Sequence, residues 1–500
     1  MSSCFSTVTA SIVQISSQGS LGQMLDQLKS REIDCFSSSY FTCRAYASGH
    51  ERDSNEGEVK VTSSSRFRNT FELTRSFDLI YQTFITFDLP GIGNVITAEG
   101  DNNLNKVYSL SNSGHTVNDV SKCCHYSNGA AAALVENVYI SFGSHAIARL
   151  SGEMCYIFEE LCGRPGKRLG ASIHKHSSQE ELVKHSQRAQ RLYLPLYFWY
   201  NGTRGSVSNS LNLINAQFQR ACLDFTLRPL VSVIENGAGS LNFRSKTDDQ
   251  SCTTKIIESI SDSFSSPVRA GGAVKYSATP SDLNRSNVAR VTVDVCGITL
   301  NDTDRQTFAQ RDSLTLMDEV HLINMTGAQS TSGSVEVDIT ETAKNLVYEI
   351  IVGARVKTCE DAATNVGKTA DSENGLMRFD GYYDSSLNMV NEPLATIDLS
   401  ISGQQRTARG LEAAYYNQIT PFQSHSCLPS HSGIYSLPFS LFPEDWTIPD
   451  SMANCSKLDS MKLRLTPQKQ LENADMEYMI FCLAYNILVQ QKGLKARYFV

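Results

Sequence analysis

Charge is scarce in this sequence. Asp, Glu, Lys and Arg make up 19% of it, against roughly a quarter in an average soluble protein, and Ser, Thr, Asn and Gly take their place. The charge present leans acidic, with a net value of −8. That excludes a sequence-independent coat on nucleic acid, which needs clustered Lys and Arg to displace counterions from phosphates. Tryptophan is nearly absent, with only Trp199 and Trp446. Long apolar runs are missing too: Met479 to Val489 covers about half of the roughly 20 residues a membrane helix needs. No basic residue precedes Lys29 and no apolar signal core is present, so a signal peptide is not expected. Ser2 excludes the N-myristoylation pattern.

Helical periodicity is also rare. Met154, Ile157, Phe158 and Leu161 share one face and stop at Gly163, with Pro165 beyond, which predicts a short helix. Ser178 to Arg191 and Leu21 to Leu28 are two further short candidates. What dominates is a period of two. Ile85, Phe87 and Leu89 alternate with Thr86 and Asp88; Val291, Val293 and Val295 alternate with Thr292 and Asp294; Met461, Leu463 and Leu465 alternate with Lys462 and Arg464. One buried and one wet face is the mark of antiparallel sheets, so the chain reads as all-β. The composition changes near residue 236, and 236–287 reads as loop with Gly237, Gly239, Gly271 and Gly272. We therefore place an arm at 1–24, a first β-domain at 25–235, an irregular linker or insertion at 236–287 and a second β-domain at 288–500. The 109–129, 170–191 and 358–388 segments are further long loops.

No catalytic pattern stands out. Gly163 to Lys167 lacks the phosphate-loop spacing, and no G-x-S-x-G elbow occurs. His174, His176 and His185 sit in a polar segment without Cys or carboxylate at zinc spacing. His425 and His431 flank Cys427, but no orienting Asn or Asp is indicated, so they read as structural. We expect no enzyme activity, no cofactor and no metal. The fourteen cysteines are scattered, mostly in apolar strand-like segments, and read as reduced, packed thiols. The run Tyr193 to Tyr200 carries no interleaved Lys or Arg, so it reads as a core strand rather than a base-stacking surface. Sequons occur at Asn201, Asn284, Asn301, Asn324 and Asn454.

Several segments taken together resemble the double jelly-roll major capsid proteins of nucleocytoplasmic large DNA viruses. Arg75-Ser76-Phe77-Asp78-Leu79-Ile80 is similar to that family's R-x-G-D-L-I, with Phe77 in place of Gly. Pro195-Leu196-Tyr197-Phe198-Trp199-Tyr200 is similar to its P-L-x-F-W-F. Val291 to Phe308 resembles the opening strand of its second barrel and the polar turn after it. Leu399 to Arg406 is similar to its L-x-L-N-G-x-x-R, and Tyr416 to His425 to its Y-F-x-x-x-x-P-x-x-x-H. Gly433 to Glu444 resembles its G-I-x-x-Y-S-F-A-L-x-P-E, and Tyr485 to Leu488 its Y-N-x-L-R. Pro449 to Asp459 stands where the family has P-S-G-x-x-N-x-S-R-x-D, with Asp450-Ser451 for Ser-Gly. The chain resembles a divergent member of this family, or a paralogue.

The resemblance implies two tandem eight-stranded antiparallel jelly-roll sandwiches with long inserted loops and a few short helices. Ile85, Phe87, Ile140, Phe198 and Phe225 would face inward in the first, and Val293, Val337, Leu399, Phe439, Leu463 and Ile480 in the second. It further implies a homotrimeric, pseudo-hexagonal capsomer in an icosahedral capsid, assembled in the host cytoplasm and present in the virion. Its partners would be copies of itself, minor capsid proteins beneath the shell and a penton protein at the vertices. An inner membrane would lie nearby, with no direct contact to nucleic acid. Asn284 in a long loop, and Asn301 and Asn324 in shorter polar connections, are the expected carbohydrate acceptors. Two other readings share the strand pattern: a minor capsid or scaffolding paralogue, and a carbohydrate-binding jelly roll, which predicts clustered surface Trp.

Overall fold

The structure is a computed structural model. It describes residues 46–497 apart from 54–58, 62–65, 90–123, 164–168, 202–209, 229–232, 237–288, 329–333, 357–376, 384–388, 445–450, 470–475 and a few runs of three residues or fewer. The arm, the Leu21–Leu28 candidate helix, Asn284, Trp446 and most of the long loops lie outside the described residues.

Alternating burial builds the strands. In Ala221–Leu227 every second side chain is buried, and the same holds in Met461–Pro467. Eight principal strands make the first sandwich: β1 (Tyr46–Asp53), β2 (Phe67–Glu72), β3 (Leu79–Leu89), β4 (Val135–Phe142), β5 (His145–Ser151), β6 (Gln190–Pro195), β7 (Ala221–Leu227) and β8 (Ala289–Leu300). They pair antiparallel in two sheets of order β1-β8-β3-β6 and β2-β7-β4-β5. Eight more make the second: β9 (Ser313–Ala328), β10 (Val335–Asp338), β11 (Leu346–Val356), β12 (Leu394–Ile401), β13 (Gln404–Gln405), β14 (Ile434–Pro438), β15 (Met461–Pro467) and β16 (Met476–Gln491). Their orders are β9-β16-β11-β14 and β10-β15-β12-β13. Adding eight to each strand number of the first sandwich reproduces the second. Each half is therefore the same jelly roll, and the chain carries it twice.

This pairing corrects the expected domain boundary. β8 was assigned to the second domain at 288–500, yet it runs beside β3 with Val293 opposite Ile85. Arg52 of β1 donates to Asp294 of β8 through Nε (2.6 Å) and Nη2 (2.9 Å), and Thr86 of β3 donates to the same carboxylate at 2.6 Å. These charge-assisted bonds fix β8 as a central strand of the first sandwich. The 236–287 segment is thus an insertion before the last strand of that sandwich, and Val293 belongs to the first core. The polar turn expected after it is a helix, Asp302–Gln310. Phe439 is only partly buried; the other residues expected to face inward are buried.

The family-pattern glycine replaced by Phe77 has a compensation opposite it. A Cβ on Gly297 of β8 would lie 2.2 Å from the Phe77 Cγ, and one on Gly49 of β1 2.7 Å from its Cε1. The ring occupies space that these two glycines leave open. Next to it, Asp78 accepts both arms of the Arg305 guanidinium at 3.0 Å and the Leu300 amide at 2.7 Å. Two motif segments far apart in sequence therefore meet at the exit from the first sandwich.

The two cores join. Along β16, Tyr478, Ile480, Cys482 and Ala484 enter the core of the second sandwich. Met479, Phe481, Leu483 and Tyr485 point the other way, into the core that holds the first. Burial on both faces explains the run Met479 to Val489, apolar except for the buried Asn486: it is a strand with no wet side.

Candidate functional site at the junction of the two sandwiches

The junction is organised by α2 (Gly152–Cys162), which follows the five-residue α1 (Ala130–Leu134) and lies between β5 and β6. Ser151 caps it, accepting the Met154 amide through Oγ at 3.2 Å. The expected apolar face is present, but the helix is buried on every side from Gly152 to Leu161. Ile157 reaches β11 and β16, lying next to the space above Gly353 with Met479 and Phe379. A buried helix that carries Glu153, Glu159 and Glu160 must partner each carboxylate. Glu153 receives Arg228 Nη2 at 2.5 Å. Glu159 receives the Tyr197 hydroxyl at 2.5 Å and the Leu169 amide at 2.8 Å.

Glu160 reaches across the junction. It is fully buried and accepts the Ser430 amide (2.8 Å) and the Ser430 hydroxyl (2.8 and 2.9 Å) from the second sandwich. Lys175 pairs with it from the first, and His431 Nε2 stands 3.5 Å away. The Tyr156 hydroxyl meets that same nitrogen at 2.5 Å. The Cys427 amide donates to the Leu161 carbonyl at 3.0 Å, and its thiol to the Gly163 carbonyl. The connection after β5 in the first sandwich thus grips the equivalent connection after β13 in the second.

Around the end of α2 lies a second polar cluster. The His425 ring is 1% exposed; its Nε2 meets Glu349 Oε1 at 2.7 Å and Ser436 Oγ at 3.1 Å, and its Nδ1 meets Glu444 Oε1 at 3.1 Å. Burial opposes the imidazolium, but the Glu349 charge and hydrogen bonds to Cys162, Glu349 and Glu444 outweigh it and hold the ring well above the usual histidine range. Burial likewise opposes the Glu444 carboxylate, and hydrogen bonds from His425 and Ser426 outweigh it, so this group titrates below its usual range. Cys162, His425 and Glu444 place one thiol, one ring nitrogen and one carboxylate oxygen within 4.8 Å of one another.

A third clasp comes from the strand Leu494–Arg497 beside β16. Lys495 is 1% exposed. Its amide donates to Gln219 Oε1 at 2.8 Å and its ammonium to the Asn212 carbonyl, with the Phe142 ring 4.6 Å away. Burial pushes this amine down to about 7 from 10.5. Between those values the unfolded chain holds a proton that the folded chain has lost, so stability rises with pH across that window, and below about pH 7 the burial cost is felt in full. Denaturant midpoints of the wild type and Lys495→Met at about pH 7 and about pH 9.5 test this. The wild type is expected to gain on the variant by roughly 3 kcal/mol. A constant gap would mean that the carbonyl and the ring keep the ammonium charged.

Of the sequence candidates, Asn301 is exposed and its Oδ1 accepts the Asp304 amide at 2.8 Å, capping the helix Asp302–Gln310. Asn324 is exposed but lies on β9, opposite Met479, and not in a connection. Asn201 is buried and donates to the Leu196 carbonyl at 2.8 Å, which closes that sequon in the folded chain. His174 is buried; His176 stacks on His185 with ring centres 4.4 Å apart. His431 belongs to the Glu160 network, Cys427 bonds the Leu161 and Gly163 carbonyls beside it, and His425 belongs to the cluster at the end of α2. Glu160, Cys162 and Glu444 were missed. For Glu160 a signal was present, since three glutamates in an otherwise apolar helix must either face water or be partnered, though not where the partner lies.

Two family profiles match the chain. One, described as large eukaryotic DNA virus major capsid protein, covers residues 304–496, and the other, major capsid protein N-terminus, covers residues 50–262. No curated protein sequence matches significantly. Among solved structures, the chain is similar to PBCV-1 VP54 as fitted into a reconstruction of the virophage Sputnik, with a TM-score of 0.62 at 17% identity, covering 93% of this chain and 99% of that one. It is also similar to the Faustovirus major capsid protein, with a TM-score of 0.59 at 11% identity and 97% of both chains covered. At such identities the likeness shows the fold alone.

Proposed function

Because the chain belongs to the large eukaryotic DNA virus major capsid protein family, we propose that it works as a homotrimeric capsomer of pseudo-hexagonal outline that tiles an icosahedral shell. One observation carries this: the same eight-strand order occurs twice in one chain. Three chains then supply six similar sandwiches, and one sandwich of each chain meets the other sandwich of the next in a closed, heterologous ring. The buried junction suits this role, since a tile must hold its two halves at a fixed angle. Exposed Phe422, Leu441 and Phe442 on the second sandwich provide apolar surface for a neighbouring chain to cover.

In this reading the work is mechanical and not catalytic. Minor capsid proteins beneath the shell and a penton protein at its vertices complete the virion, which forms in the host cytoplasm. The low charge suits broad subunit contacts, whose centres are depleted of charged residues. The exposed Asn301 and Asn324 remain carbohydrate acceptors. Size-exclusion chromatography with light scattering is expected to give three times 55.2 kDa. A stable monomer at capsid-forming concentration would overturn the proposal.

A further inference from the structure

We propose that Cys162, His425 and Glu444 bind a divalent transition metal of the zinc type, which ties the end of α2 in the first sandwich to the second. This departs from the metal-free expectation drawn from the sequence. The three residues come from separate segments: the last position of α2, the residue after the helix α3 (Thr420–Ser424), and the stretch after β14. Thiolate, imidazole and carboxylate are donor types that zinc accepts, at roughly 2.0–2.3 Å. Tetrahedral geometry at such bond lengths sets neighbouring donors roughly 3.3–3.7 Å apart. Nδ1 of His425 and Oε1 of Glu444 are already 3.1 Å apart, and all three donor atoms fall within 4.8 Å. Small side-chain adjustments suffice, and water would complete the fourth position.

The surroundings fit as well. With Nδ1 as ligand, Nε2–H points at the buried Glu349 carboxylate at 2.7 Å. A carboxylate behind a ligating histidine fixes the tautomer and raises the basicity of the nitrogen that binds. Cys162 forms no disulfide, so its sulfur retains the proton that a metal would replace. Proton and charge balance also close. Binding releases the Cys162 Sγ proton and the His425 Nδ1 proton, while Nε2 keeps its own. Two protons leave and one dication enters, so the net charge of this buried cluster is unchanged.

The test is a Co2+ titration of the full chain, reduced and stripped with chelator. One Co2+ per chain is expected, with a thiolate-to-cobalt charge-transfer absorption that Zn2+ then displaces. Cys162→Ser is expected to abolish that absorption. Glu349→Gln is expected to weaken affinity by about 10–100-fold. Both variants are compared with the wild type by elution volume. Absence of the absorption in the wild type would overturn the site. So would its survival in Cys162→Ser, which would place the metal on another thiol. Should Cys162→Ser not fold, alkylation decides: Zn2+ must slow modification of Cys162 in the wild type, and an unchanged rate overturns the proposal. Because the site lies within one chain, these readouts are independent of whether the trimer forms.

Discussion

Glu160→Ala is expected to destabilise the folded chain by about 3–5 kcal/mol, the range for breaking a buried ion pair from one side. The carboxylate is fully buried and is shared between both sandwiches. Without it, the Lys175 ammonium, whose side chain is only 14% exposed and which lies 5.2 Å from the Tyr156 ring centre, loses the Glu160 carboxylate. The Ser430 amide and hydroxyl lose their acceptor at the same time. Glu160→Gln retains an acceptor and should cost less. Arg220→Ala is the control, because its pair with Glu72 is exposed on both sides (77% and 53%) and such pairs contribute little. Urea unfolding followed by intrinsic fluorescence measures all three. Equal losses for Glu160→Ala and Arg220→Ala would mean that the junction does not depend on this network.

Gly152→Val is expected to cost more than about 4 kcal/mol, in the range reserved for forced overpacking and backbone strain. Gly152 is the first residue of α2, and a Cβ there would lie 2.0 Å from the Ala132 carbonyl oxygen and 2.3 Å from that of Val135. Both obstacles are backbone, so no side chain can swing aside; α2 would have to part from α1 and β4. The comparison is Gly403→Ala, where φ is +77° and nothing lies within 4 Å. There the penalty is conformational alone, roughly 1 kcal/mol. Soluble yield and thermal midpoint read both variants. A mild effect at Gly152 would show that α2 can slide at the junction.

The strands were legible because each pays attention to one period. Leu463 and Leu465 against Lys462 and Arg464, or Leu223 and Phe225 against Asp224 and Thr226, state which face is wet. The helix at Met154 was legible from its spacing and its stop at Gly163. The boundary between the halves was not. A strand such as β8 reads identically whether it opens the second sandwich or closes the first, since alternation reports a face and not a neighbour. Only the pairing of Asp294 with Arg52 and Thr86 decides. The junction was illegible for a related reason. Sequence patterns show Tyr156, Glu160 and Cys162 within about two turns of one helix, and show Ser430, His431 and Glu444 as strand connections. That these meet follows from the stacking of two complete sandwiches, which no local spacing encodes. His425 and Glu444 were visible only as ends of two motif segments.

The central position of β8 and β16 bears on how the chain is made. In each sandwich the last of the eight principal strands is inserted between the first and third, β1 and β3 or β9 and β11. Neither sandwich can close its larger sheet until its final strand has emerged, so long-range pairing dominates and folding is slow. A chain broken off before Met476 would leave the inner edges of β9 and β11 without the strand that joins them, and open edges invite aggregation. The fold therefore tests each copy for completeness: a truncated chain cannot present a finished second half.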